Sequence, residues 1–326
     1  DLIDEKLTAI KICDPAIGSG AFPVGLMHEL VLAQKVLLPF LSKKFLAKKL
    51  EIIELKQEEY KQDPERYIYK IKRHTIQESI YGVDIDASAI DIARLRLWLS
   101  LIVDETDFYN IEALPNLDYK IVQGDSLVGF PEDWKSEAFD KIERLKKEFF
   151  DETDTFKKKT LKAQIDKEIN DRLKTSKQVF GYEVNFDFKL FFSEVWHYKK
   201  GFDIVIANPP YVDIKHLPPS FVRFLFQHFS TCANRINLFS IFIEKAWRLT
   251  NSSGNIVFIN PNSILQNSSY KKIRQLLVND ISKIIKLPDK VFKEAIVETI
   301  INSIIKNNRC NRSEERRVGK ECRSRW

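Results

Sequence analysis

Residues 10–22 have the sequence IKICDPAIGSGAF, in which an apolar run ends at an acid and a turn with two glycines follows. Residues 10–13 predict a short strand, and residues 21–38 have the apolar spacing of a helix. Glycine allows a tight turn and a close approach of a ligand to the backbone, because it has no Cβ. The segment therefore predicts a strand, an open turn and a helix, the unit from which α/β sheets are built.

This glycine turn differs from the dinucleotide-binding fingerprint. The third glycine of that motif would fall at position 23, where the chain has Pro23. The turn therefore indicates a nucleoside cofactor of another kind. The alternative is an ordinary connection between a strand and a helix.

Alternating strands and helices continue along the chain. Helical spacing is clearest in residues 87–103, where apolar side chains share one face, and in residues 237–249. Six more strand-like runs lie at residues 79–83, 119–122, 202–206, 256–259, 281–286 and 299–305. This pattern predicts an α/β fold with a doubly wound, mostly parallel sheet of seven strands. In such sheets, ligands bind at the carboxyl ends of the strands.

Acids follow three of the predicted strands. Asp14, Asp84 and Asp125 come at the ends of the first, second and third strands. A carboxylate after the second strand is suited to the two hydroxyls of a ribose, and Asp125 could accept a hydrogen bond from an adenine amine. Ile85 would lie against the flat face of that adenine. Each acid alone is also typical of a turn, and Asp86 fits a helix N-cap.

The sequence Asn208-Pro209-Pro210-Tyr211 follows the apolar strand at residues 202–206. The two prolines fix the backbone and remove two N–H donors, which leaves the Asn208 side-chain oxygen and the Pro209 carbonyl as acceptors. An exocyclic aromatic amine is a poor nucleophile, and two acceptors on its N–H bonds would localise its lone pair. Tyr211 would stack on the base. The loop predicts methyl transfer to such an amine, by positioning and electrostatics; the alternative is an ordinary proline turn.

Four motifs in this order, DPAIGSGAF, GVDID, GDSL and NPPY, resemble those of the gamma-type adenine-N6 DNA methyltransferases. The resemblance covers roughly residues 11–306. It is greatest to the methyltransferase part of type IIG restriction–modification enzymes and to phage-exclusion (BREX-type) methylases. It implies S-adenosyl-L-methionine as cofactor, and as target the N6 amine of an adenine flipped out of double-stranded DNA.

The resemblance also implies roles for individual residues. On the cofactor side it assigns the ribose to Asp84, the adenine face to Ile85 and the adenine amine to Asp125. The other positions implied to line the cofactor pocket are Asp14, Pro15, Ala16, Gly18, Gly20 and Ser126. The positions implied to act on the target are Asn208, Pro209, Pro210 and Tyr211, with Phe292 as a second aromatic against the flipped base. No metal is implied.

Three alternatives remain open on the sequence. A protein-glutamine or ribosomal-RNA amine methyltransferase would need the same loop, although the DPA opening and the charged insertion argue against it. A cytosine-N4 methyltransferase uses similar acceptors, more often with Ser at the position of Asn208. The third alternative is a truncated chain that keeps the fold without activity.

Two segments depart from the alternation. Residues 131–178 contain 13 Lys or Arg against 12 Asp or Glu, and no Gly. They predict a protruding helical pair, at about residues 131–180, that is either a solvated spacer or an arm contacting DNA or a partner. Residues 309–326 have no apolar period, and we expect a non-native tail there; the alternative is a basic arm that binds phosphates. Residues 1–308 would then form one methyltransferase domain.

Composition sets further bounds. A 44% hydrophobic share supports a large core, and the net charge of +6 is a weak argument for nucleic acid, since seven basic residues lie in residues 309–326. The four cysteines and five histidines show no metal-ligand spacing. We expect a cytoplasmic protein without a membrane span or metal site. We also expect a fragment, because the family's target-recognition domain and a nuclease motif are not visible.

Overall fold

A computed structural model describes residues 1–63, 65–103, 117–132, 134, 138–152, 154–288 and 298–307. The chain divides into two compact units, Asp1–Lys200 and Gly201–Trp326. Two expectations fall outside the described residues, namely the tail at residues 309–326 and the role of Phe292.

The first unit contains three parallel strands, β1 (Ile12–Asp14), β2 (Ile80–Asp84) and β3 (Ile121–Gln123), in the order β3-β2-β1. Because β2 pairs in parallel with both neighbours, the carboxyl ends of the three strands lie at one edge. The helices of this unit are α1 (Leu2–Thr8), α2 (Ala21–Leu37), α3 (Lys43–Ile52), α4 (Gln57–Gln62), α5 (Arg66–Glu78), α6 (Ala87–Ile102), α7 (Ala138–Asp151), α8 (Thr155–Phe180), α9 (Phe188–Phe191) and α10 (Ser193–Lys199).

Apolar side chains from the helices form the core of the first unit. Met27 of α2 and Tyr67 of α5 pack in one cluster with a buried face of α6. Burying one such side chain stabilises the fold by about 1.5–3 kcal/mol. Asp86 caps α6 as predicted, because its carboxylate accepts a hydrogen bond from the Ser88 N–H at 2.9 Å. The residues of α6 predicted to share one face are all buried, namely Ile90, Ala93, Leu97 and Leu101.

The segment Ala21–Phe40, which is α2 with the short 3-10 turn Leu38–Phe40, is long and apolar enough to cross a membrane by length and composition alone. This corrects the expectation that no such run exists. The same composition suits a core helix, because Met27 and Val31 are buried in the apolar cluster of the first unit. Gln34 on the buried face accepts a hydrogen bond from the Lys49 ammonium at 3.0 Å. Packing therefore accounts for the buried face of α2, whereas Leu32 and Val36 are more than half exposed.

The charged insertion forms the helices α7 and α8, and one face of each helix is packed against apolar side chains. Ile142 and Phe149 of α7 and Ile165 of α8 are buried in a cluster with Tyr119, two residues before β3. The apolar residues recur at helical spacing inside a charge-rich sequence, so each helix has one apolar stripe that packs on the core. The inner faces of these helices are therefore packed, and protrusion of the pair stays a prediction.

The second unit contains the strands β4 (Phe202–Ala207), β5 (Thr250–Pro261), β6 (Ile281–Lys286) and β7 (Thr299–Ile305), in the order β4-β5-β7-β6. β4 and β5 are parallel, whereas β7 is antiparallel to both β5 and β6. The helices are α11 (Pro219–His228), α12 (Leu238–Leu249) and α13 (Lys271–Leu277), with 3-10 turns at Ile214–His216, Asn262–Leu265 and Ser268–Tyr270.

The predicted α/β class with seven strands is confirmed, and strand lengths are the main difference from the sequence. The largest change is β5, which begins at Thr250 rather than at the predicted residue 256. Residues 250–255 are polar and carry no alternating pattern, although they continue the strand. The register of β5 against β4 shifts between Thr250, which is opposite Phe202, and Asn255, which is opposite Ile204, so this part of the strand is irregular. An apolar period therefore finds only the regular part of β5.

Candidate active site

The turn after β1 is built around Asp14, which is 1% exposed. Its Oδ1 accepts a hydrogen bond from the Ala16 N–H at 3.0 Å. Burial, with a further contribution from the nearby Asp84 charge, raises the pKa of Asp14 to about 8. Gly20 ends this turn with φ +79, and a Cβ there would lie 3.1 Å from the backbone of Ala93. The turn therefore needs glycine at position 20 both for its backbone angle and for the close packing of α6.

Asp84, at the end of β2, connects two of the predicted motifs. Its Oδ2 accepts a hydrogen bond from the Gly18 N–H at 2.8 Å, and its Oδ1 accepts one from the Asp86 N–H at 3.0 Å. Gly18 has φ +51, and a Cβ there would meet nothing within 4 Å. The neighbouring Ile85 is 68% exposed. The structure thus brings Asp84 and the glycine turn together beside an open apolar side chain.

The loop after β3 is also bonded to the glycine turn. Ser126 is 4% exposed, and its hydroxyl donates to the Pro15 carbonyl at 2.6 Å. Asp125 accepts a hydrogen bond from the Leu127 N–H at 2.9 Å, and its own N–H donates to Asn185 Oδ1 at 3.3 Å. Ser126 therefore holds the wall of the site in place, whereas Asp125 is only half-buried.

Two residues that the sequence did not single out also build this site. The Ile17 N–H donates to the Val83 carbonyl at 3.0 Å. The Ile17 side chain packs on Gly82 so closely that a Cβ on Gly82 would lie only 2.2 Å from it. Asn185 fixes the loop after β3. Ile17 lies inside the first of the four motifs, which was a signal for it, whereas Asn185 lies in none of them.

These groups of the first unit fit S-adenosyl-L-methionine. A carboxylate has about four lone-pair sites. Asp84 uses two of them on backbone donors, so it retains acceptors for the hydroxyls of a ribose. The free space at Gly18 admits a ligand that any side chain would obstruct, and the exposed Ile85 offers an apolar face to a base.

The Asn-Pro-Pro-Tyr loop follows β4 in the second unit. Asn208 Oδ1 accepts a hydrogen bond from the Tyr211 hydroxyl at 3.1 Å, and the same hydroxyl lies 3.2 Å from the Ile259 carbonyl. Burial raises the pKa of Tyr211 to about 12, so its hydroxyl remains a donor at neutral pH. The ring packs edge-on against Phe239, with centroids 6.0 Å apart. Pro209 is buried and Pro210 exposed, so the loop is held on one side and open on the other.

Asn260 of β5 directly follows Ile259, and its buried amide is hydrogen-bonded to that of Asn302 in β7. Asn302 Nδ2 donates to Asn260 Oδ1 at 2.7 Å, and Asn260 Nδ2 donates to the Pro261 carbonyl at 3.0 Å. Both asparagines are at most 2% exposed. Buried amide pairs fix strand register because an unmade hydrogen bond there is costly. The two asparagines therefore hold the end of β5 in place, where the Ile259 carbonyl contacts the Tyr211 hydroxyl.

One group of potential metal ligands occurs among the described residues, in the insertion and α10. Ligand atoms of Asp140, Glu143 and His197 lie within 4.8 Å of one another. Asp140 and His197 are exposed, and this group involves none of the site residues described above. The expectation of no metal in the reaction stays a prediction.

The chain is similar to known restriction-modification proteins. Residues 78–292, more than half of the chain, match the family described as Eco57I restriction-modification methylase. RM.Eco57I of Escherichia coli, a type II restriction enzyme and methyltransferase, is 23% identical over 318 residues, covering 94% of this chain and 26% of that protein. RM.MjaORFECS2P of Methanocaldococcus jannaschii, named for the same pair of activities, is 26% identical and covers 95% of this chain and 31% of its own length.

A solved structure shares the fold. The ATP-dependent Type ISP restriction-modification enzyme LlaBIII, bound to DNA, superposes with a TM-score of 0.50 at 15% identity, covering 92% of this chain and 17% of that chain. The chain spans less than a third of either curated relative. With a family match over residues 78–292, this chain belongs to the Eco57I restriction-modification methylase family.

Proposed function

We propose that this chain transfers a methyl group from S-adenosyl-L-methionine to the N6 amine of an adenine in double-stranded DNA. It would be the modification part of a restriction–modification or phage-defence protein. The observation that carries the proposal is the loop of Asn208, Pro209 and Tyr211, which follows β4. In this loop the Asn208 side-chain oxygen and the Pro209 carbonyl are hydrogen-bond acceptors on a backbone that the prolines fix. Family membership and the DNA-bound structural relative support DNA as the substrate class.

The first unit would hold the cofactor, which supplies an electrophilic methyl group. Asp84 would accept hydrogen bonds from the ribose hydroxyls, and Ile85 would cover one face of the adenine. Asp125 would accept a hydrogen bond from the adenine amine through a carboxylate oxygen. The backbone at Gly18 would lie against the ligand without an intervening side chain.

The second unit would bind the target base. Asn208 Oδ1 and the Pro209 carbonyl would accept the two N–H bonds of the adenine amine, which makes its lone pair more available. Asn208 Oδ1 already accepts from Tyr211, and an amide oxygen has two lone pairs, so one is left for the substrate. The Tyr211 ring, held edge-on by Phe239, would stack on the base. The adenine must leave the duplex to be reached, at a cost of a few kcal/mol.

The deciding experiment uses the full-length parent protein and this chain with labelled S-adenosyl-L-methionine. Each is incubated separately with DNA, RNA and protein, and the product is hydrolysed for base and amino-acid analysis. We expect label in DNA as N6-methyladenine. Label in glutamine or ribosomal RNA would support the amine-methyltransferase alternative, and N4-methylcytosine would change the target base. Cofactor binding without transfer by this chain alone would indicate an inactive fragment.

Sequence specificity is proposed for the longer protein. Specific reading of DNA needs contacts to base edges, whereas contacts to phosphates give affinity without sequence information. The curated relatives are more than three times as long as this chain, so a target-recognition domain and a nuclease in the parent protein are part of the proposal.

A further inference from the structure

The two helices of the insertion differ in charge. α7 contains four Lys or Arg and four Asp or Glu, so it is neutral overall. α8 contains eight Lys or Arg and only three Asp or Glu. The balance of the whole insertion in the sequence therefore conceals a strongly basic helix beside a neutral one.

The packing of α8 increases this excess at the surface. Asp166 accepts a hydrogen bond from the Tyr119 hydroxyl at 2.8 Å, and Glu168 pairs with Lys141 of α7. Asp166 is thus used against Tyr119, and Glu168 is paired with a half-exposed lysine at the junction of the two helices. The exposed charged residues of α8 are one acid, Asp171, and six cations: Lys157, Lys159, Lys167, Arg172, Lys174 and Lys177. Within the described part of the chain, none of these six cations is in an ion pair.

Three of the lysines lie on the same side of α8. Lys159, Lys167 and Lys174 are eight and seven residues apart, and at about 100° of turn per residue they fall within an arc of about 80° around the helix. The rise of an α-helix separates them by about 12 Å and about 10 Å along the axis. Apart from Asp171 and Arg172, the other exposed residues between them are uncharged, and they include Thr160, Ala163, Gln164 and Asn170.

We infer that this outward face of α8 binds the phosphate backbone of duplex DNA. Duplex DNA carries one negative charge per about 1.7 Å of axis, so lysines at this spacing each reach a phosphate. With 26 residues, α8 is about 39 Å long, close to one turn of the duplex. A membrane surface fits less well, because it would require an apolar face between the cations.

The inference rests on the proposed function for the choice of DNA as the polyanion. The inference adds that the catalytic chain itself binds the duplex through helix α8 of the insertion. Such contacts set affinity and orientation for any sequence, and they leave recognition of the target site to other residues.

The test compares two triple variants of the full chain that lose the same charge. The α8 variant is Lys159→Gln, Lys167→Gln and Lys174→Gln, and the control is Lys43→Gln, Lys44→Gln and Lys61→Gln, which changes exposed lysines of α3 and α4. Binding to a random-sequence duplex is measured between about 50 and 200 mM salt, the range in which phosphate contacts respond strongly. We expect the α8 variant to bind at least about tenfold more weakly and its salt slope to fall by about one per phosphate contact. The control should stay within about twofold of the unchanged chain.

Two further readouts keep the result unambiguous. Cofactor affinity by calorimetry should be equal in all chains, which verifies that the folds are intact. The charge-preserving variant K159R/K167R/K174R should keep the affinity of the unchanged chain, because either cation pairs with a phosphate. Where the chain methylates DNA, the α8 variant should raise KM for DNA and leave kcat unchanged.

The possible outcomes separate this inference from the proposed function. Equal duplex affinity in the α8 and control variants, in a chain that methylates DNA, overturns the inference alone. Lysine-dependent duplex binding in a chain that methylates only RNA or protein overturns the proposed function and leaves the α8 surface in place. A chain that binds no duplex at about 50 mM salt overturns the inference directly.

Discussion

The acids of the first unit and the Asn-Pro-Pro-Tyr loop of the second meet their hydrogen-bonding needs in different ways. Asp14, Asp84 and Asp125 each accept hydrogen bonds from backbone N–H groups of the loops that surround them. Asn208 instead accepts from the hydroxyl of another side chain, Tyr211. The acids are therefore part of the loop structure, whereas the asparagine stands on a backbone that the prolines have already fixed.

This difference predicts how substitutions act. Removing a carboxylate leaves a backbone N–H without its acceptor, so binding and local structure change together. Removing the Asn208 amide leaves the proline backbone unchanged and should affect the chemical step alone. Four substitutions test the distinction, from the largest expected effect to the smallest.

Asn208→Ala should reduce methyl transfer at least ~10²-fold, the loss seen when one aligned hydrogen-bond partner of a transition state is removed. Cofactor affinity should be nearly unchanged, because Asn208 contacts the target amine in the proposal. Single-turnover transfer and calorimetry measure the two effects. The control is Gln227→Ala, which removes an exposed side-chain amide from α11. Unchanged transfer by Asn208→Ala would contradict the role of this loop.

Asp84→Ala should weaken S-adenosyl-L-methionine binding by roughly 1.5–3 kcal/mol, the range for hydrogen bonds to a charged group. Asp84→Asn should not restore it, because both carboxylate oxygens accept backbone N–H groups and an amide has only one oxygen. Asp91→Ala on the exposed side of α6 is the matched control. Calorimetry that finds full affinity in Asp84→Asn would show that the second oxygen is not needed.

The sequence predicts the parts of the site that depend on local order. Strand ends, glycine turns and the proline loop are each determined within a few residues, so Asp14, Asp84 and Asp125 were placed correctly at strand ends. Contacts between distant residues could not be predicted. The Ser126 hydroxyl reaches the Pro15 carbonyl across 111 positions, and nothing in either local pattern indicates that contact.

The charge exposed on the insertion could not be predicted from the sequence either. Its nearly equal numbers of acids and bases favoured a solvated spacer, and only the packing reveals which charges are used internally. Glu168 is directed towards Lys141 of α7, whereas Lys167, one residue earlier, is exposed. Net charge over a segment therefore cannot predict the charge of one face of a helix.

Asp14→Asn should change how stability depends on pH. Burial raises the pKa of Asp14 from its ordinary value of 3.8 to about 8. Between these values the folded chain holds a proton that the unfolded chain has lost, so the free energy of unfolding falls as pH rises, by up to about 1.4 kcal/mol per pH unit. The stabilisation is complete below about pH 4 and lost above about pH 8. Asn keeps an oxygen for the Ala16 N–H but does not titrate, so this slope should disappear.

Urea unfolding at several values between about pH 5 and 8 measures the slope of each chain, and the difference between the chains isolates Asp14 from other titrating groups. Asp91→Asn is the control, because it replaces an exposed acid of the same unit. Equal slopes in Asp14→Asn and the unchanged chain would show that Asp14 is ionised at neutral pH. The acid would then be a charged wall of the cofactor site rather than a neutral one.

Asp86→Ala should have the smallest effect of the four substitutions. Its effect on stability should be easy to distinguish from the effect of Asp84→Ala on cofactor binding. Asp86 accepts from the Ser88 N–H at the start of α6, so its removal should cost about 1 kcal/mol of folding stability, as other N-caps do. Asp86→Ser should retain most of that stability, because a hydroxyl also caps a helix. Cofactor affinity should stay within about 0.5 kcal/mol of the unchanged chain, the scale of most surface substitutions.

Asp84 and Asp86 are two residues apart, and each accepts hydrogen bonds from backbone N–H groups. Of the two, only Asp84 also accepts a hydrogen bond from the glycine turn. An affinity loss in Asp86→Ala that exceeds the loss in Asp84→Ala would therefore reverse the two assignments and place the ribose on the helix cap.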